Sequence, residues 1–287
     1  MSGRSILRVL RSAKYLLVFS NMTFVDSHAH WSDLRITPDL ISQMMANCEF
    51  NRIRFIMQGG VDPADWDRQI ELKKQFPDRI GLCFGLHPYF IARSTPEDCE
   101  AALDLLAKKI SQAMALGETG LDFRSQFVPE EKDRVRQINY FEHQIEIAKA
   151  TAKPLVLHIV RAHDEAHRIL TLWDLPDRPG YIHAFNSNLQ NAENYLNAGF
   201  LLSIGGAITH PRNQELRSAI VNVPLDKLLI ESDTPDQAPM NWKGLNESWS
   251  IWRVAEEISS LRGDVSAEEV LKVSTDNFNR LFSVPIS

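Results

Sequence analysis

The chain has only three cysteines, Cys48, Cys83 and Cys99, at irregular spacings. That number and spacing support neither a disulfide framework nor a thiolate zinc site, and they fit a reducing, cytoplasmic compartment. Long apolar runs are missing too. The main one in the first 21 residues is Tyr15 to Phe19, too short to span a bilayer, and no small-residue cleavage pattern follows it. Positive charge is not in excess: Lys plus Arg number 31 against 37 Asp plus Glu, a formal charge of −6. A surface that coats nucleic acid along its length is therefore excluded, and any polyanion must be held locally. No Gly-rich phosphate loop follows the first apolar run, "TFVDSHAH", which argues against a dinucleotide-binding sheet.

With 287 residues and 44% hydrophobic content, the chain can bury a sizeable core, as one large α/β barrel or two smaller domains. Residues 1–21 carry Arg4, Arg8, Arg11 and Lys14 and no acid, a composition shared with organelle transit peptides. Met22 stands directly before the first strand pattern, so residues 1–21 are read as an upstream extension dispensable for folding, and 22–287 as a single domain. From there eight short apolar runs alternate with amphipathic stretches. The runs are "TFVDSHAH", "IRFIMQGG", "IGLCFGLHP", "AMALGETGLD", "PLVLHIV", "GYIHAF", "GFLLSIGG" and "LLIESDTP". Between them lie segments such as "PDLISQMMANCEF" and "EKDRVRQINYFEHQIEIAKATA", with apolar residues at helical spacing. Near-continuous apolar strands alternating with helices predict a parallel sheet covered on both faces, and eight units predict a closed (β/α)8 TIM barrel. An open doubly wound sheet is the alternative.

His28 and His30 are two apart in an extended run, so their imidazoles point to one side. Other chemistry-bearing residues fall late in later runs: His87 in the third, Glu118 in the fourth, His158 in the fifth, His183 in the sixth and Asp233 in the eighth. Each alone has a plain reading, as a core histidine, a turn cap or an Asx turn before Pro235. A parallel barrel brings all these strand ends to one mouth. Histidines and carboxylates gathered there form a nitrogen and oxygen set suited to divalent metals.

In order along the chain, "DSHAH", "GLHP", "GETGLDF", "LVLHIVRAHDEA", "IHAFNSN", "IESDTPDQAP", "NESWSIWRVAEEISSLRG" and "STDNFNRLF" resemble the successive motifs of TatD-type metal-dependent hydrolases, from about Met22 to Phe282. The resemblance implies an amidohydrolase-like barrel holding one or two divalent ions (Mg, Mn or Zn), in a family whose members are described as deoxyribonucleases. Mapped onto this chain, it implies His28 and His30 as the first-strand pair, Glu118 as bridging carboxylate, His158 and His183 as ligands of a second ion, and Asp233 as the last-strand carboxylate. It also implies hydrolysis by an acidified water, with Asp233 as general base and acid and Glu118 as its catalytic partner. Asp26 and Asp122 are expected to orient ligand imidazoles. The chain departs from the family pattern at Ala184, Val160 and Tyr89, where Cys, Arg and His are common.

DNA ends or short single-stranded DNA are the expected substrate, with no membrane and no obligate protein partner. His87, Arg161 and Trp242 are the expected substrate contacts, with Arg93, Arg124, Arg212 and Lys243 completing a basic rim. Trp31, Tyr89, Phe90 and above all Trp242 are candidates for stacking on bases. Two other function classes remain: a barrel hydrolase of an amide, lactone or other small ester, and a metal-binding interaction protein without catalysis.

Overall fold

Each of the eight apolar runs forms parallel strand, as their near-continuous burial requires. A computed structural model describes residues 22–286 of the chain, so the expected extension, 1–21, lies outside the described residues. The strands are β1 (Phe24–Ala29), β2 (Ile53–Gln58), β3 (Ile80–Gly81), β4 (Cys83–Phe84), β5 (Ala115–Asp122), β6 (Leu155–Val160), β7 (Gly180–Ile182), β8 (Leu201–Ile204) and β9 (Leu228–Ile230). The third run, expected as one strand, is broken at Leu82. β3 pairs with β2 and β4 with β5, so the ladder divides into β1-β2-β3 and β4 through β9. Side chains take the place of strand partners at the break. Lys73 Nζ donates to Ile80 O at 2.7 Å, and Gln69 Oε1 accepts from Cys83 N at 3.1 Å. Counting β3 and β4 as one stave gives the eight staves of a TIM barrel.

Among the described residues ten α-helices cover the barrel: α1 (Pro38–Phe50), α2 (Pro63–Gln75), α3 (Pro88–Arg93), α4 (Pro96–Lys109), α5 (Glu131–Ala150), α6 (His163–Leu172), α7 (Leu189–Asn197), α8 (Gln214–Asn222), α9 (Ile251–Arg262) and α10 (Ala267–Phe282). Three begin at Thr-Pro or Asp-Pro pairs. Thr37, Asp62 and Thr95 each accept a backbone N–H three residues on, and the following proline needs no donor there. No helix among the described residues is long and apolar enough to cross a membrane. Inside the barrel, strand residues such as Val25, Met57, Val156 and Leu229 pack with Phe278 and Leu281 of α10, a core separate from the one between barrel and helices.

Between β9 and β1 there is no strand ladder, and closure is made by side chains and the residues that follow β9. Asp26 Oδ1 accepts from Ser232 N at 2.9 Å and its Oδ2 from Ser232 Oγ at 2.6 Å. Ser27 Oγ donates to Ile230 O at 2.9 Å, and His30 N to Thr234 O at 2.6 Å. α10 satisfies two further strand donors. Thr275 Oγ1 accepts from Val25 N at 3.2 Å and Ser274 Oγ from Ile230 N at 2.8 Å.

Candidate active site

Backbone irregularities aim the first side chains at the mouth. The β1–β2 register slips between Asp26 and Ala29, where His28 lies. Beneath it, a Cβ on Gly59 would stand 2.5 Å from both His28 Nε2 and His30 Cε1, so glycine leaves room for the two rings. Glu118, expected at the end of its strand, is instead the fourth of eight residues in β5. A register shift between Gly117 and Thr119 puts it in a bulge, which redirects the side chain. His158 lies within β6, His183 directly follows β7, and Asp233 follows β9 at a left-handed φ of 57°.

These side chains meet at the floor of one cavity. Glu118 Oε1 lies 3.1 Å from His30 Nε2 and 3.4 Å from His28 Nε2. Its Oε2 lies 3.1 Å from His183 Nε2, 3.3 Å from His158 Nδ1 and 3.6 Å from His87 Nε2. Asp233 Oδ1 stands 3.4 Å from His30 Nε2 and 3.8 Å from His28 Nε2. Both Glu118 oxygens and Asp233 Oδ1 are buried without a partner in hydrogen-bond geometry. Orphaned anionic oxygens ringed by imidazole nitrogens are costly unless a cation takes the central position, so the residues fit divalent metal. Two three-donor groups share Glu118: His28, His30 and Glu118, and His87, Glu118 and His158. His87, expected at the substrate, thus sits among the buried imidazoles. It caps α3, its Nδ1 accepting from Tyr89 N at 2.9 Å.

Burial opposes charge on every group here, and the neighbours decide which is ionised. Burial and His183 together push His28 down, and burial and His158 push His87 well below the usual imidazole range. Burial is overridden at Glu118, where above all the cationic His183 holds the carboxyl well below its ordinary value. It is overridden likewise at Asp233, held at about 2 chiefly by His183 and His30. For His183, burial loses to Glu118, Glu231 and Asp233, which raise it to about 10. A metal ion bound to His183 would displace that proton, so its loading would release protons and strengthen as pH rises.

Outer partners fix several rings. Asp122 Oδ2 lies 3.2 Å from His158 Nε2, and Arg124 grips the same carboxylate. Glu231, not singled out in the sequence, is fully buried, with Oε1 3.2 Å from His183 Nδ1 and accepting from Ala184 N at 2.8 Å. The signal was its place two residues before Asp233 in "IESD". Tyr181, also missed, donates to Ser27 O at 2.7 Å with its hydroxyl 3.5 Å from His28 Nδ1. Asp26, expected to orient an imidazole, instead holds Ser232 at the barrel seam; its carboxyl is raised to about 7 by burial, against the Ser232 hydrogen bonds.

The cavity above the floor, about 820 Å³, is lined among others by Arg35, Arg93, Arg124, Arg161, Tyr89 and His163. Arg35 is held by Asp33 and Asp236, and Arg124 by Asp122. Arg93 and Arg161 make no ion pair with any described residue; Arg93 lies over the Tyr89 and Phe127 rings, which stack at 4.3 Å. Several expected contacts lie elsewhere. Trp31 is 1% exposed, its indole donating to Ser248 Oγ, because the loop after β1 turns it into the core. Trp242 is half-buried and outside the cavity lining, its ring 4.3 Å from Trp249 and its N–H on Leu245 O. Phe90 packs on the core, Arg212 is not among the lining residues, and Lys243 lines a separate crevice of about 290 Å³ with Ile36 and Leu245.

Comparison with known proteins agrees with this geometry. Residues 25–283 match the family described as TatD related DNase. The metal-dependent hydrolase YcfH of Escherichia coli K12 is 32% identical over 269 residues, covering 93% of this chain and 98% of its own. The 3'-5' ssDNA/RNA exonuclease TatD of Erwinia tasmaniensis is 30% identical over 231 residues, 78% of this chain and 86% of its own. Among solved structures, YjjV, a TatD homolog from Escherichia coli K12, has a TM-score of 0.80 at 27% identity and covers 91% of this chain and 98% of that one. A parallel barrel whose mouth gathers this imidazole and carboxylate set, matched over nearly its whole length, belongs to the TatD family of metal-dependent hydrolases.

Proposed function

We propose that the protein is a divalent-metal-dependent nuclease that hydrolyses phosphodiester bonds at the ends of DNA, with short single-stranded DNA as its preferred form. The observation that carries this reading is the combination, in one cavity, of an orphaned carboxylate ringed by imidazoles with two guanidinium groups, Arg93 and Arg161, that make no ion pair with described residues. The nucleic-acid substrate named for the Erwinia relative supports it.

His28, His30, Glu118, His158, His183 and Asp233 would hold one or two ions of Mg, Mn or Zn, Glu118 belonging to both of the donor groups that share it. Bound there, the cations supply Lewis acidity, neutralising charge on the phosphate and making water a nucleophile at neutral pH. Asp233 Oδ1 takes the proton of the attacking water and returns it to the leaving oxygen, the task of a positioned general base and acid. Asp122 and Glu231 keep the His158 and His183 rings in place. Arg161 and Arg93 hold the phosphates flanking the scissile bond, a contact that positions the strand without reading its sequence.

The test is an activity panel. The protein is stripped of metal, reloaded with Mg, Mn or Zn, and offered end-labelled single-stranded and duplex DNA beside simple phosphodiesters and lactones. Shortening of single strands from one end, dependent on metal, is the expected result. Turnover of lactones with intact DNA under every metal would assign the site to small esters instead.

A further inference from the structure

Asp233 has two oxygens in different surroundings. Oδ1 faces the His30 and His28 rings with no hydrogen-bond partner. Oδ2 accepts from Gln237 Nε2 at 2.6 Å. The loop that carries Gln237 is pinned along its length. On its amino-terminal side, Arg35 grips the Asp236 carboxylate at 2.9 and 2.6 Å, and Asn246 Nδ2 donates to Asp236 O at 2.9 Å. On the other side, Met240 N donates to Thr209 Oγ1 at 2.7 Å. Beneath, Gln237 O sits where a Cβ on Gly206 would come within 2.1 Å, so a larger residue at 206 would lift the loop.

A carboxylate turns readily about its last torsion, which is broad, and over much of that range neither oxygen is aimed squarely at the reaction centre. A short hydrogen bond to a charged acceptor removes that freedom. We propose that Gln237 is a positioning residue for Asp233: its amide captures Oδ2 and leaves Oδ1 alone to face the metal and water positions. The inference rests on the assignment of Asp233 to the metal set. It adds a residue outside that set, and assigns the Arg35–Asp236 pair the work of holding the Gln237 backbone.

The experiment measures Mn binding to the metal-stripped full chain by titration calorimetry, without any substrate, for the unmodified protein, Gln237→Met and Gln237→Ala. Methionine keeps the length of glutamine and removes the donor. Both variants should bind Mn about tenfold more weakly, the scale for losing a partner of a metal ligand, with an unchanged melting temperature. On single-stranded DNA, kcat should fall about tenfold with KM within about twofold, the pattern of a group that acts on the reaction rather than on strand binding. Mn affinity within about twofold of the unmodified protein in Gln237→Met would overturn the proposal, even if the melting temperature moved. An unmodified protein that binds Mn and leaves DNA intact would count against the nuclease reading alone, because the Mn comparison decides the role of Gln237 by itself.

Discussion

At the floor of the cavity, His28, His87, Glu118, His158, His183 and Asp233 are buried, and several are fixed from behind: His183 by Glu231, His158 by Asp122, Asp233 by Gln237. At the mouth, the arginines stand on loops and helix ends, and half of those lining the cavity are neutralised by neighbouring aspartates: Arg35 and Arg124 are, Arg93 and Arg161 are not. The floor is over-determined, so a change there removes a function whose geometry nothing else can rebuild. The mouth is redundant and solvated, so a change there alters affinity by small steps.

Glu118→Ala tests the floor most severely. It removes the oxygens facing both imidazole groups, so metal content should fall at both positions and turnover by about 10³-fold, the upper range for losing one charge-stabilising group. Unaltered metal content by elemental analysis would remove its bridging role. Asp233→Asn comes next, with turnover lowered by roughly 10²-fold. Metal analysis in parallel separates a lost base from a lost ion, and turnover within a few-fold would end the assignment. Glu231→Gln keeps the shape but loses the charge behind His183, so Mn affinity should weaken by about tenfold; equal affinity by calorimetry would make Glu231 a packing residue only. The mouth should respond least. Arg161→Ala should raise KM for single-stranded DNA by roughly fivefold with kcat kept, and Trp242→Ala should leave both within about twofold, since its ring lies against Trp249. A larger loss at Trp242 than at Arg161 in steady-state kinetics would invert the contrast.

The same contrast governs what could be read from the sequence. Strands and helices followed from period and burial, and the floor residues from their positions late in apolar runs. The bulge that carries Glu118 left no compositional mark, because the register shift depends on pairing with β6 about forty positions later, at Val156 and Leu157. Glu231 was hidden as one more residue of a turn-like "ESDTP". Trp31, beside the polar "SD", looked exposed; what buries it includes Ser248, 217 positions away. Loop residues carry no periodicity, so the directions of Arg161, Lys243 and Trp242 could not be inferred.

The Asp26–Ser232 seam bears on how the chain folds. Its two residues are 206 positions apart. The first strand therefore keeps its edge at the seam uncovered until Ser232 has been made, a template for association in the meantime. Loop closure over so many residues adds little to the equilibrium cost but slows folding, because the long-range contact forms only after the intervening staves are in place. His28 on one side of this seam and Asp233 on the other are brought together only once the residues after β9 are in place, Asp233 N donating to His28 O at 3.0 Å.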